Sequence, residues 1–150
     1  MSHSFTNLLY HVVFGTKGRE PWLEAAMRPD LFAVLGGLVQ EQGGIPLAVG
    51  GVEDHVHLFA KLRQDVALSD VPRAVKAKSA RWVHKTQPRC PAFAWQTGYG
   101  AFSVSQSRAD TVRRYIANQE EHHKRQPFAD EFRALLRAHH IDFSEEDLWD

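Results

Sequence analysis

After Asn7 the chain reads LLYHVVF, seven residues with no acid, lysine or arginine, dense in β-branched, aromatic and aliphatic side chains and closed by Gly15 and Gly18. Such a run reads as a strand buried on both faces, and it commits the fold to a sheet. Residues 45–52 and 55–62 are two further strand-like runs. Only Glu53-Asp54 separates them, which suits a tight antiparallel hairpin. Residues 93–104 form a fourth strand region, with a bend or bulge expected at Gly98-Tyr99-Gly100.

Helical spacing fills the gaps. Met27, Leu31, Val34, Leu35, Leu38 and Val39 recur on one face within residues 23–42, and Gly43-Gly44 ends that helix. A second helix is expected from Ser69, as its N-cap, to about Lys85, after which Pro88 and Pro91 forbid continuation. A third is capped by Ser107 or Asp110 and reaches about Lys124 before Pro127, and a fourth covers residues 128–139. The order is βαββαβ followed by two helices. Two right-handed crossovers around a hairpin predict a ferredoxin-like α+β fold, an antiparallel sheet with helices on one face plus C-terminal helices.

The chain has 150 residues, enough to bury a core without disulfides or a structural metal. No repeat or linker divides it, so residues 1–150 are expected to form one domain. Cys90 is the single cysteine, which excludes an intrachain disulfide and fits a reducing compartment. No apolar run approaches the roughly 20 residues of a membrane span, and the first residues do not resemble a leader peptide. A cytoplasmic protein without a membrane partner is the expectation.

Net charge is zero, with 18 basic and 18 acidic residues, yet the charge is polarised. No acid occurs between Asp70 and Asp110, while Arg73, Lys76, Lys78, Arg81, Lys85, Arg89 and Arg108 do. The acids Asp142, Glu145, Glu146, Asp147 and Asp150 crowd the end. A solvated helix face accounts for such a run, but a polarised neutral chain also leaves a polyanion partner open.

Two short patterns carry chemistry. In His55-Val56-His57 strand alternation points both imidazoles to one face, about 6.6 Å apart, and sends Val56, Leu58 and Ala60 to the other. The plain reading is surface or hydrogen-bonded histidines; the chemical one is a shared divalent ion. Tyr115 and Gln119 lie one helical turn apart, beside a stripe of Val112 and Ile116. An aromatic there is ordinarily core, whereas a buried amide needs partners that a metal can supply. Two imidazoles and an amide oxygen leave half an octahedral shell open, which suits Mg²⁺ or Mn²⁺ with a phosphate better than a closed zinc site. A phenol one turn from a metal ligand is then a candidate nucleophile. No P-loop, dinucleotide-binding glycine pattern or hydrolase motif competes.

The segments YHVVFGTKGREPW, GGVEDHVHLF, KAKSARW, FAWQTGYGAFSVSQS and YIANQEEHH together resemble the single-tyrosine HUH transposases. More narrowly, they resemble the small insertion-sequence and repeat-associated tyrosine transposases of bacteria. The resemblance runs from about Leu9 to the final LWD. It implies a metal-dependent homodimer that recognises hairpins in single-stranded DNA and cleaves beside them. A 5′-phosphotyrosine and a free 3′-hydroxyl result. By position it implies Tyr115 as the nucleophile and His55, His57 and Gln119 as ligands of Mg²⁺ or Mn²⁺. Lys76, Lys78, Ser79, Arg81 and Lys85 resemble a DNA-contacting helix. Asp54 could orient a liganding imidazole, and His122 and His123 read as outer or surface groups.

Rival readings are a host-adopted nuclease acting on repeated chromosomal hairpins, a non-catalytic nucleic-acid-binding module, and a dimerisation domain with a vestigial site. Gly98-Tyr99-Gly100 resembles part of the RNA-recognition signature. However, Thr97 replaces its basic residue, Ala101 its aromatic, and the segment lies on the fourth strand.

Overall fold

Four strands, β1 (Leu8–Gly15), β2 (Gly44–Gly51), β3 (His55–Leu62) and β4 (Gly100–Val104), pair antiparallel in the order β2-β3-β1-β4 in the computed structural model, which describes residues 3–149. Helix α1 (Arg28–Glu41) crosses from β1 to β2, and α2 (Asp70–Thr86) from β3 to β4. Three helices follow: α3 (Ala109–Ala117), α4 (Gln119–His123) and α5 (Phe128–Ala138). This is the ferredoxin-like α+β arrangement that the order of elements predicts.

The sheet divides its side chains between two layers. Val12 and Phe14 of β1 and Val56, Leu58, Ala60 and Leu62 of β3 pack with Leu31, Leu35 and Val39 of α1 and Val71, Val75 and Val83 of α2. The opposite face is covered by the C-terminal helices. There Leu9 and Phe59 meet Ala109 and Ile116, while Val13 and Phe102 meet Phe128, Phe132 and Leu136. The central strands are therefore buried on both sides, and His55, His57 and Phe59 share the face under α3 and α5. Among the described residues no helix is long and apolar enough to cross a membrane.

Local departures from the sequence reading have identifiable causes. The first helix starts at Arg28 rather than Leu23, with Pro29 in its first turn. The preceding residues are held to the β2–β3 hairpin instead, where the Leu23 N–H donates to the Glu53 carbonyl at 2.9 Å. Ser69 precedes α2 in a helical conformation and makes no side-chain capping bond. Of residues 93–104 only the last five form β4, and Trp95 contributes an isolated bridge to Thr16. The expected long third helix breaks at Asn118 (φ −100°, ψ 22°) into α3 and α4. At the break the Gln119 side-chain amide donates to the Tyr115 carbonyl at 3.2 Å, a group the helical ladder would otherwise use.

Helix α3 rests directly on the backbone of β2. A methyl group added at Gly50 would lie 2.6 Å from the Ile116 carbonyl oxygen and 2.9 Å from its Cγ2. Gly50→Ala is expected to push α3 off the sheet and destabilise the protein by about 1–3 kcal/mol, as overpacking does. A urea midpoint measured against wild type checks this, and an unchanged midpoint would show that α3 docks loosely.

Candidate active site

Strand β3 presents His55 and His57 to the C-terminal helices, and neither side chain is exposed to solvent. The His55 ring lies flat on Phe128 of α5, with centroids 3.9 Å apart and planes at 4°. Its Nδ1 is 2.8 Å from Asp54 Oδ1, so the Nδ1 proton is donated to that carboxylate. Asp54 thereby fixes the orientation of the His55 ring. The His55 Nε2 then faces two acceptors, Gln119 Oε1 at 3.2 Å and Glu131 Oε1 at 3.1 Å. A nitrogen lone pair aimed at oxygen lone pairs requires a positive charge between them, either a proton or a metal ion. Burial alone would lower the His55 pKa, but the hydrogen bonds to Asp54 and Glu131 outweigh it and raise the pKa above its ordinary value.

His57 sits diagonally across from His11 of β1, with His57 Nδ1 and His11 Nε2 sharing a hydrogen bond at 2.8 Å. Burial, followed by its histidine neighbour, pushes the His11 pKa down to about 3; burial lowers that of His57 to about 4. Both rings are thus neutral, the form in which imidazole binds a metal. His57 Nε2 lies 3.1 Å from Glu131 Oε1, and His123 Nε2 lies 3.2 Å from the same oxygen. His123 Nε2 is also 3.0 Å from Gln119 Oε1. Ligand atoms of His55, His57, His123 and Glu131 all lie within 4.8 Å of one another, a set able to hold one metal ion. Gln119, 2% exposed, adds its amide oxygen to that set.

Tyr115 closes the cluster. Its hydroxyl donates to Glu131 Oε2, and its ring meets the His57 ring edge-on at 5.7 Å. Burial first, and the Glu131 charge second, raise its pKa well above that of a free phenol. Left to itself it is protonated and a weak nucleophile. A cleft of about 360 Å³, lined among others by His11, Phe102, Arg108, Val112, Tyr115 and His139, opens beside it.

All four residues taken from the motifs, His55, His57, Tyr115 and Gln119, are brought together within one chain. Three further members were not read as such. His123, read from sequence as an outer or surface group, faces the centre, because it lies one turn beyond Gln119 on the same face. His11 reaches His57 only through the β1–β3 register, which no local pattern reveals. Glu131 had a visible signal: it is the acid on the apolar stripe of Phe128, Phe132 and Leu135 in α5. His122 Nε2, at 3.2 Å from Glu131 Oε2, is close but not aligned for a hydrogen bond.

The expected basic face of α2 needs correction at two positions. Ser79 is fully buried and accepts the Trp95 indole N–H at 2.9 Å, so its hydroxyl does not face DNA. The Lys76 ammonium donates to the carbonyls of Gln96, Thr97 and Gly98, and burial lowers its pKa to about 8. It clamps the loop before β4. Lys78 pairs with Glu41 at 3.2 Å, and with Arg81, Trp82 and Lys85 it borders an outward-facing cleft. That surface lies across the sheet from the histidines.

The sequence profile described as "Transposase IS200 like" matches residues 4–119. The ISDra2 transposase TnpA of Deinococcus radiodurans is 24% identical over 76% of this chain and 85% of its own. A crystal structure of a candidate transposase from Deinococcus radiodurans R1 is 26% identical, with a TM-score of 0.62 over 79% of this chain and 95% of that one. A REP-associated tyrosine transposase bound to a REP hairpin shares the fold at 14% identity. Its TM-score is 0.60 over 82% of this chain and 74% of its own. With a profile match over most of its length, and with the paired histidines and the tyrosine of its motifs meeting in one buried cluster, this chain belongs to the IS200-like transposase family.

Proposed function

We propose that this transposase is a metal-assisted, single-tyrosine DNA transesterase that recognises a hairpin and cuts the single strand beside it. The observation that carries the reading is the convergence of a tyrosine hydroxyl and three imidazole Nε2 atoms on one buried carboxylate. Nothing in a binding module or a vestigial dimerisation domain calls for that arrangement.

His55, His57 and Gln119 would hold the divalent ion, which when bound withdraws charge from the scissile phosphate. Mg²⁺ and Mn²⁺ are the two candidates for that ion. Tyr115 Oη attacks phosphorus, the bond to the 3′ oxygen breaks, and the phenol's proton ends on the released 3′-hydroxyl. A 5′-phosphotyrosine remains and keeps the ester bond for rejoining. The dimer implied by the sequence resemblance is part of this proposal, with each subunit using its own Tyr115.

Arg81 and Lys85 of α2 supply phosphate contacts that position the hairpin. They lie across the sheet from Tyr115, so the substrate has to serve two faces of a 17.0 kDa protein. Duplex DNA, with a persistence length of about 50 nm, resists such a path, and a single strand leaving a hairpin does not.

With Mn²⁺ and end-labelled hairpin DNA from the host locus, wild type should give a covalent adduct on a denaturing gel. Tyr115→Phe should give none while binding the hairpin within about twofold; an adduct from that variant means another nucleophile. His57→Ala, or chelation of wild type by EDTA, should remove cleavage, and metal-independent cleavage would defeat the reading. Replacing Arg81 and Lys85 together by alanine should weaken hairpin binding and flatten its salt dependence by up to about two phosphate equivalents, as a filter-binding series over salt would record.

A further inference from the structure

Glu131 is 1% exposed, and among the described residues no lysine or arginine pairs with it. A carboxylate buried so completely is costly unless a positive charge meets it. Here imidazoles take that place. The two oxygens have different neighbours. Oε1 stands 3.1 Å from His55 Nε2, 3.1 Å from His57 Nε2 and 3.2 Å from His123 Nε2. Oε2 accepts the Tyr115 hydroxyl. Two ligands at right angles on an ion with bonds of about 2.1 Å lie roughly 3 Å apart. Oε1 therefore already stands at ligand–ligand distance from three imidazole nitrogens. The carboxylate comes from α5, beyond residues 4–119 of the family match.

We infer that Glu131 is a bridging residue, ligating the metal through Oε1 while Oε2 holds the Tyr115 hydroxyl, so that metal loading and placement of the nucleophile are one event. The inference rests on the transesterase reading for the identity of the nucleophile, but its metal half stands apart from it. His123 joins Glu131 as a ligand, and the centre is then richer than the His55, His57 and Gln119 set taken from the motif. Through Oε2 Glu131 acts as a positioning residue.

The test uses the full-length, metal-free protein titrated with Mn²⁺ by calorimetry and followed by electron paramagnetic resonance, with no DNA present. Glu131→Gln keeps the side-chain volume and should lose at least tenfold in Mn²⁺ affinity, with a changed Mn²⁺ spectrum and an unaltered circular dichroism spectrum. Unchanged affinity overturns the inference. Tighter binding overturns it too, because it makes the carboxylate a plug that the metal must displace. Glu131→Asp, which keeps the charge and guards against misfolding of the first variant, should bind Mn²⁺ more tightly than Glu131→Gln. At saturating Mn²⁺ its adduct formation should still fall more than tenfold, since the shortened side chain no longer reaches Tyr115. An undiminished adduct overturns the positioning half. Mn²⁺ binding that needs Glu131, in a wild type that forms no adduct, would uphold the ligand assignment and defeat the transesterase reading instead.

Discussion

The pairing of β1 with β3 in the middle of the sheet sets the positions of the three imidazoles on which the site is built, His11, His55 and His57. Its register places Val13 opposite His57, Gly15 opposite His55 and His11 opposite Phe59. Because neighbouring residues point to opposite faces, this one register sends Val12, Phe14, Val56 and Leu58 beneath α1 and α2 and sends His11, His55 and His57 to the other side. A slip of β3 by one residue would drive both of its imidazoles into the apolar layer. Burying each large apolar side chain is worth about 1.5–3 kcal/mol, against about 0.5–1.5 for a hydrogen bond. The dry face therefore decides the register, and the polar face inherits its geometry.

That division explains what the sequence could and could not reveal. Strand and helix periods are local, so all four strands, the crossover helices and the shared face of His55 and His57 were legible from residue order alone. Tyr115 and Gln119 were legible because their spacing is a helical turn. His11 was not, since its contact with His57 spans 46 positions and exists only once two strands have found each other. Glu131 was visible as an acid on an apolar stripe, but the partner of that stripe depends on how α5 docks. On α2, five polar residues in a basic stretch look alike in sequence. The docking of Trp95 and of the loop before β4 separates the buried Ser79 and the clamped Lys76 from the exposed Arg81 and Lys85.

The centre concentrates groups that favour unfolding when they stand alone. Neutral buried imidazoles, a carboxylate without a lysine or arginine, and an amide 2% exposed are each expensive to bury, and each is tolerated here because the others partner it. A polar network of this kind is stable only when complete. Phe128 of α5 closes the network by stacking on His55, so the C-terminal helices both cover the sheet's second layer and complete the polar cluster.

Order along the chain then becomes order in time. The carboxylate shared by the tyrosine and the imidazoles lies 74 residues after His57 and 16 after Tyr115. During synthesis, which proceeds from the N-terminus, the sheet and its apolar layer are complete in sequence well before α5 leaves the ribosome. A nascent chain therefore carries the histidines and the tyrosine without the group that joins them. For a transposase this is a built-in delay, and a chain released early by a premature stop is born with the Tyr115 hydroxyl unplaced.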